Sequence, residues 1–362
     1  RTIKVLDLET NEKLDLEITE VKFSDITWKD DSSGFYYNKY PKPLSENRLS
    51  QQSYDAAIYF ADIRTGEEKL FYGQINPEQN YTVSFIGEDK KILIKVITGS
   101  EEENFYLFGN SLETLEPITP INQASFNYVH ADDDGLFFIT NLEADNYRLV
   151  KVLFADLQMF EVVSEDNFAL KGVSFVNDYL IADYIDHADM RSAIVFFNHS
   201  GEQLDVTLPD NLSGTISGLQ SVGDNAIMFS VTSYTQPVQY FSFDFTNNSL
   251  ELLWEEAIPR FNPNDYTEVS TNYESKDGTM VPITYSYKSS TKLNKDTPIF
   301  LYAYGGYNIS IRPSFTPKYV AWLEMGGVLA VANIRGGGEF CKAWHNAGRL
   351  GTKQNVFDDF LY

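Results

Sequence analysis

The 362 residues carry 52 acidic against 28 basic side chains, a net charge of −24, with 43% hydrophobic and 15% aromatic content. That length allows two domains and a large buried core, while the acidity disfavours nucleic acid and anionic membranes, whose recognition needs Lys and Arg. A single cysteine, Cys341, excludes an intrachain disulfide, which suits a reducing compartment and is compatible with a periplasmic or secreted protein.

No run of 18 apolar residues occurs, so no transmembrane helix is predicted. Residues 1–20 mix charged and apolar groups evenly and do not read as a signal peptide. Over its first 255 residues the chain repeats itself. IKVLDLETNE from Ile3, IYFADIRTGE from Ile58, FYLFGNSLET from Phe105, YRLVKVLFAD from Tyr147, IVFFNHSGEQ from Ile194 and YFSFDFTNNS from Tyr240 each start with a β-type run. A turn and a second apolar run follow, as in Glu67–Tyr72 and Leu250–Trp254. The starts lie 42 to 55 residues apart. A period in the forties with paired strands is the mark of propeller blades of about four strands each. Further strand candidates lie between the copies: Val83–Phe85, Ile92–Val96, Leu136–Thr140 and Ala226–Val231. The long first interval holds a polar loop, Tyr40–Gln52.

Acidic turns punctuate the repeats. Asp132–Asp134 lacks the ligand spacing of a calcium loop and reads as a hairpin tip, as does Asp31–Gly34. Glu101–Glu103 reads as a solvated loop. The aromatic positions Tyr106, Phe108, Phe196 and Phe197 read as packing between blades. His130, His187 and His199 fall among the repeats as turn or core residues.

Near Ile258 the pattern changes, with Pro259, Asn262, Pro263 and Asn264 ending the repeats. Glu268–Ser275 and Thr279–Tyr287 form a predicted hairpin with a type I′ turn at Asp277-Gly278. A helix is predicted over Ser314–Met325, with Pro317 in its first turn and Gly326-Gly327 ending it. Ile299–Tyr302 and Val328–Ile334 read as fully buried strands of a parallel or mixed sheet. Glycines follow both, at the carboxyl ends where ligands of such sheets bind. Gly336-Gly337-Gly338-Glu339-Phe340-Cys341 is no dinucleotide fingerprint, because Cys341 replaces its last glycine, and no phosphate-binding Gly-x-x-x-x-Gly-Lys-Ser/Thr occurs. Arg335 and Glu339 are expected to pair across this turn.

The strings YAYGGYNIS (Tyr302–Ser310), ANIRGGGEF (Ala332–Phe340), Trp344-His345 and KQNVFDDF (Lys353–Phe360) resemble the opening of the catalytic domain of the prolyl oligopeptidase family of serine peptidases. SKDGTMVPITYSY resembles the first hairpin of that domain. The resemblance implies a multidomain fold: a β-propeller over residues 1–257, seven-bladed in the family with about six repeats visible here, and the start of an α/β-hydrolase domain over residues 258–362. The Tyr-Gly-Gly-aromatic-Asn-Ile-Ser string favours the prolyl-specific branch over the basic-residue-specific oligopeptidase B branch.

A hydrolase site needs a Gly-x-Ser-x-Gly elbow, and none occurs in the 362 residues. Gly214–Gly218 has one residue too many before its serine. In the family the serine, acid and histidine all follow the KQN-FDD segment, so His345, although near Asp358 and Asp359 in sequence, is expected to be structural. The chain reads as truncated at both ends and, as given, inactive. The catalytic residue the resemblance places within it is Tyr304, whose hydroxyl is one donor of the family's oxyanion hole. Tyr307 matches an aromatic that lines the proline pocket, where phenylalanine is usual.

The resulting expectation is a serine endopeptidase that cuts short peptides after proline through an acyl-enzyme, with the propeller gating access. No cofactor and no metal are implied. The expected partners are short proline-containing peptides, not nucleic acid or membrane, and the expected state is a monomer in the cytoplasm, with periplasmic or secreted locations left open. The alternatives are another member of the clan, such as an oligopeptidase B, dipeptidyl or acylaminoacyl peptidase, or a propeller binding module with a non-catalytic hydrolase remnant.

Overall fold

The computed structural model describes residues 1–22, 24–42, 54–98, 103–209 and 212–362. Most of the polar loop Tyr40–Gln52 and most of Glu101–Glu103 lie outside the described residues.

Short β-rich runs separated by turns become small sheets in chain order. β1 (Ile3–Leu6) and β2 (Lys13–Ile18) form an antiparallel pair. A four-stranded meander follows: β3 (Ile26–Trp28), β4 (Gly34–Lys39), β5 (Ala57–Asp62) and β6 (Glu68–Gly73). The next is β7 (Gln79–Ile86), β8 (Lys91–Thr98), β9 (Asn104–Gly109) and β10 (Glu116–Pro117). The fourth sheet has the order β11 (Phe126–Ala131), β12 (Gly135–Thr140), β13 (Arg148–Leu153), β14 (Met159–Val163). β15 (Ala169–Val176), β16 (Tyr179–Ile185) and β17 (Ser192–Phe197) make the fifth, and β18 (Thr215–Ser221), β19 (Ala226–Thr232), β20 (Gln239–Asp244) and β21 (Ser249–Glu255) the sixth.

The repeats from Ile58 onward are the third strands of their sheets: β5, β9, β13, β17 and β20. The repeat is legible because that strand is the one followed by a short turn and an apolar partner. Those turns are built alike. Asp62 Oδ1 accepts from the backbone N–H groups of Arg64 and Thr65, and Asp244 Oδ1 accepts from those of Thr246 and Asn247. The acidic tip at Asp132 closes the same way on Asp134 and Gly135. Besides the β1–β2 pair, the fifth sheet departs from four strands. Beyond β17, pairing shrinks to a bridge between Phe197 and Gln203, and Leu204, Val206 and Leu208 pack into the core from irregular backbone.

The chain divides into two compact units: residues 1–136 with 152–159, and residues 137–151 with 160–362. The first is built on a cluster around Phe35, Tyr37 and Ile18 and another around Tyr81, Ile94 and Phe105.

The second unit contains the sixth sheet and a different one. β22 (Tyr266–Glu274), β23 (Met280–Lys288), β24 (Ile299–Ala303) and β25 (Val328–Ala332) lie in the order β22-β23-β25-β24. The first two contacts are antiparallel and β24 runs parallel to β25. Val328–Ala332 is apolar throughout because both of its faces are covered. Leu329 and Val331 meet Leu323 of helix α1 (Pro317–Glu324) on one side, and Ala330 and Ala332 meet Val356 of helix α3 (Gln354–Leu361) on the other. A short helix α2 (Cys341–Asn346) precedes α3. Helix α1 begins with Pro317 at its first position and ends before Gly326 at φ +87°, as its sequence requires.

Two expectations fail here. Among the described residues β24 lies at the edge of the sheet, and Ile299 (59% exposed), Phe300, Leu301 and Tyr302 are open rather than buried. An apolar run specifies a strand but not whether a neighbour covers it. The hairpin between β22 and β23 lacks a type I′ turn. Only Gly278 has positive φ, and its N–H donates to Ser275 O, so three residues turn the chain with glycine in the left-handed position. The Asp277 carboxylate accepts from Thr279 N and stays in the ordinary φ range.

Candidate active site

Because β24 and β25 are parallel, the segments that leave them emerge side by side. Tyr304 is the first residue beyond β24 and is 44% exposed. Among the described residues its hydroxyl has no hydrogen-bond partner. Gly305 follows at φ +59°, and a Cβ there would lie 2.6–2.7 Å from Ile334 and Val356 carbons. Glycine is required both for the conformation and for the space. Tyr307 and Asn308 are both left-handed, at φ +54°, and Ile309 N–H donates to Gly306 O. Two non-glycine residues with positive φ are strained, and Tyr307 stands at the tip, 81% exposed.

The glycine loop beyond β25 packs against this turn. A Cβ on Gly336 would lie 2.7 Å from Gly305 O, and one on Gly338 would collide with Asn308 O. These glycines therefore serve backbone-to-backbone approach. His345 is tied to the same place: its Nδ1 is 2.7 Å from Gly336 O and 3.0 Å from Asn308 N. With the proton on Nδ1 the ring donates to the carbonyl, and Asn308 N–H is then left to Gly336 O at 3.3 Å. His345 is thus joined to backbone. Asp359, the acid near it in sequence, is taken up by Arg335.

The expected Arg335–Glu339 pair is not formed. Arg335 turns to Asp359 and Asp277. Glu339 is instead buried at 1% exposure, accepting from Ile311 N at 2.8 Å and Asn333 Nδ2 at 3.0 Å. Burial pushes its carboxyl above the ordinary value. Residues 335 and 339 are near in sequence but leave the glycine turn in opposite directions.

Side chains from the repeat region also reach the loop, all within the second unit. Lys171 of β15 donates from Nζ to Gly338 O at 2.6 Å, and burial lowers its ammonium pKa. His187 stacks on Phe340, with ring centroids 4.3 Å apart, and its Nε2 is 3.2 Å from Glu339 O. Arg312 grips Asp183 of β16 through both terminal nitrogens, at 2.6 and 3.0 Å. Tyr147 OH accepts from Asn308 Nδ2 at 2.9 Å. None of these contacts is readable from the sequence, where Lys171 and His187 sit inside unremarkable strand and turn segments. A cavity of about 560 Å³ elsewhere in this unit, lined by Arg191, Ser233, Gln239, Phe241 and Glu268 among others, contains neither tyrosine. Its Glu268 is already held by Arg191 at 2.9 Å and by Ser233 and Thr235 donors at 2.7 Å.

A phenol at a strand end beside a glycine loop can donate to a developing negative charge. Residues 1–256 match the family model of the prolyl oligopeptidase N-terminal β-propeller domain, and residues 313–362 match that of the prolyl oligopeptidase family. The chain belongs to the prolyl oligopeptidase family. The sheets within residues 1–256 therefore belong to the family's N-terminal β-propeller domain, and β25 with helices α1 to α3 lies in the part matched to the peptidase family. The chain is 31% identical to a prolyl endopeptidase of Elizabethkingia meningoseptica over 99% of its own length and 51% of that protein's. A solved prolyl endopeptidase structure superposes with a TM-score of 0.86 at 29% identity, covering 99% of this chain and 54% of that one. Prolyl oligopeptidase B from Galerina marginata, bound to a 25mer macrocyclization substrate, gives 0.84 at 26% identity, over 97% of this chain and 50% of that one. The chain thus spans about half the length of the curated relatives it matches.

Proposed function

We propose that these residues are the propeller, 1–257, and the first part of the catalytic domain, 258–362, of a serine endopeptidase that cleaves short peptides on the carboxyl side of proline. The observation that carries the reading is the Tyr304–Asn308 turn. It presents an unpartnered phenol and a strained aromatic tip at the carboxyl edge of the sheet, within a family whose matched members are named prolyl endopeptidases. In the reaction a serine hydroxyl, which no Gly-x-Ser-x-Gly among these 362 residues supplies, attacks the peptide carbonyl. Charge then develops on the carbonyl oxygen and the Tyr304 O–H donates to it; the C–N bond breaks as the amine takes up the proton given by the serine, and water then hydrolyses the acyl-enzyme to release the acid and regenerate the serine. A backbone N–H beside the serine is the second donor. Tyr307 lines the site for the proline ring, its hydroxyl making that wall more polar than phenylalanine would. No metal or cofactor enters this scheme. The partners are small proline-containing peptides admitted by the propeller, and the working state is a cytoplasmic monomer. The acidity of the chain supports the absence of nucleic-acid and anionic-membrane partners. Among the described residues no helix is long and apolar enough to cross a membrane.

The test is to treat the full-length protein with a serine-directed fluorophosphonate probe and to map its cleavage of a peptide library. The expected result is one labelled serine and products ending in proline, with the 362-residue chain alone inert. Absence of labelling would favour a propeller binding module, and cleavage after basic residues an oligopeptidase B.

A further inference from the structure

We infer that Lys353 is a positioning residue for Tyr304, an inference that rests on the reading of Tyr304 as an oxyanion donor. Tyr304 has no hydrogen bond of its own to fix it, so its hydroxyl goes where its backbone goes. That backbone is gripped from one side by the first turn of α3. Lys353 Nζ donates to Gly305 O at 2.8 Å, and Val356, three residues on and therefore on the same helical face, fills the space where a Gly305 side chain would be. The contact is charge-assisted and partly buried, which makes it stronger than a neutral bond.

Lys353 itself has helical backbone, at φ −57° and ψ −25°, between a 3₁₀ turn over Leu350–Thr352 and the first residue of α3. Among the described residues Lys353 makes no ion pair that would explain its charge. Its ammonium is spent on one backbone carbonyl instead. That carbonyl belongs to the residue after Tyr304.

The experiment uses the full-length protein, with a proline substrate whose chemical step limits the rate. Lys353→Met keeps the stem and removes the donor. It is expected to lower kcat by about 10- to 100-fold, as misplaced catalytic groups do, with KM within about twofold. Lys353→Arg, which keeps a charged donor, should recover most of the loss. In a Tyr304→Phe background Lys353→Met should cost little more, since the hydroxyl it positions is gone. A helix-stabilising role alone would instead lower the melting temperature and act additively. Should Lys353→Met not fold, Lys353→Gln, a shorter neutral donor, takes its place with the same expectations. If Tyr304→Phe lowers kcat strongly while the Lys353 variants stay within twofold of wild type or act additively, the inference is overturned and the reading of Tyr304 stands. If Tyr304→Phe itself has no effect, both fail.

Discussion

The carboxylate of Asp359 faces the guanidinium of Arg335 in the protein interior. Arg335 Nε lies 3.0 and 3.1 Å from its two oxygens and Nη2 lies 2.6 Å from one of them. Arg335 backbone N–H at 2.9 Å and Ser275 Oγ at 2.6 Å complete its shell, and Asp359 is fully buried. Arg335 continues to Asp277 at 2.5 Å. Two ion pairs that share Arg335 therefore tie the end of β25, helix α3 and the β22–β23 hairpin together, and the hydrogen bonds to Asp359 raise the already high pKa of the guanidinium further.

Removing one partner of a buried pair leaves the other charged and uncompensated. Asp359→Ala should destabilise the protein by about 3–5 kcal/mol, whereas Asp277→Ala, at the half-exposed outer end, should cost far less. Urea denaturation measures both. Equal losses would mean that burial is not what makes the inner pair matter.

Gly305→Ala should be a harsh single-methyl change in the candidate site. It combines φ +59° with a Cβ 2.6 Å from Ile334 Cγ1, and a strained non-glycine conformation alone costs about 1–3 kcal/mol. The neighbouring Gly306→Ala meets nothing closer than Lys353 Nζ at 4.0 Å and does not have positive φ, so its melting temperature should stay near wild type. Reversed sensitivities in a thermal melt would contradict this packing.

His187 gives the glycine-loop contact a pH dependence. Burial is the largest influence and lowers its folded pKa below 6.5, ahead of the opposing bond to Glu339 O and the charge of Asp186, with Lys171 lowering it further. Because the folded value is depressed, the unfolded chain takes up the proton first. The contribution is intact above pH 6.5 and is lost as pH falls through that value towards the folded one. His187→Phe preserves a ring against Phe340 and removes the proton site. Between pH 7.5 and 5.5, wild type should lose more unfolding free energy than the variant, measured by denaturant titration at both pH values. A variant that loses as much as wild type would remove His187 as the titrating group.

The period of the repeats is readable because most third strands carry an Asp- or Asn-based turn followed by apolar residues, all local features. The turn after β24 and the glycine loop were readable because glycine has few reasons to cluster at strand ends. What escaped was everything set by distant chain segments. Arg335 chose Asp359 over Glu339, Lys171 and His187 came to the glycine loop from more than 150 positions away, and β24 lay at an edge. Sequence spacing predicts partners within a turn or a hairpin and is silent about contacts between elements. The roles of Tyr304 and Tyr307 rest on resemblance to the family, because an exposed phenol after a strand has no signature of its own.

The central claim is that Tyr304 donates to the oxyanion, and Tyr304→Phe in the full-length protein tests it most directly. The ring stays and one hydroxyl goes, so packing is preserved, with Tyr285→Phe in the preceding hairpin as the control. Single-turnover kinetics on a proline-containing peptide should show the chemical step slowed by about 10²–10³, or roughly 2.7–4 kcal/mol of lost transition-state stabilisation. KM should change little, because the bond strengthens only as charge develops. A rate within twofold of wild type would contradict the account and leave the candidate site without a catalytic member.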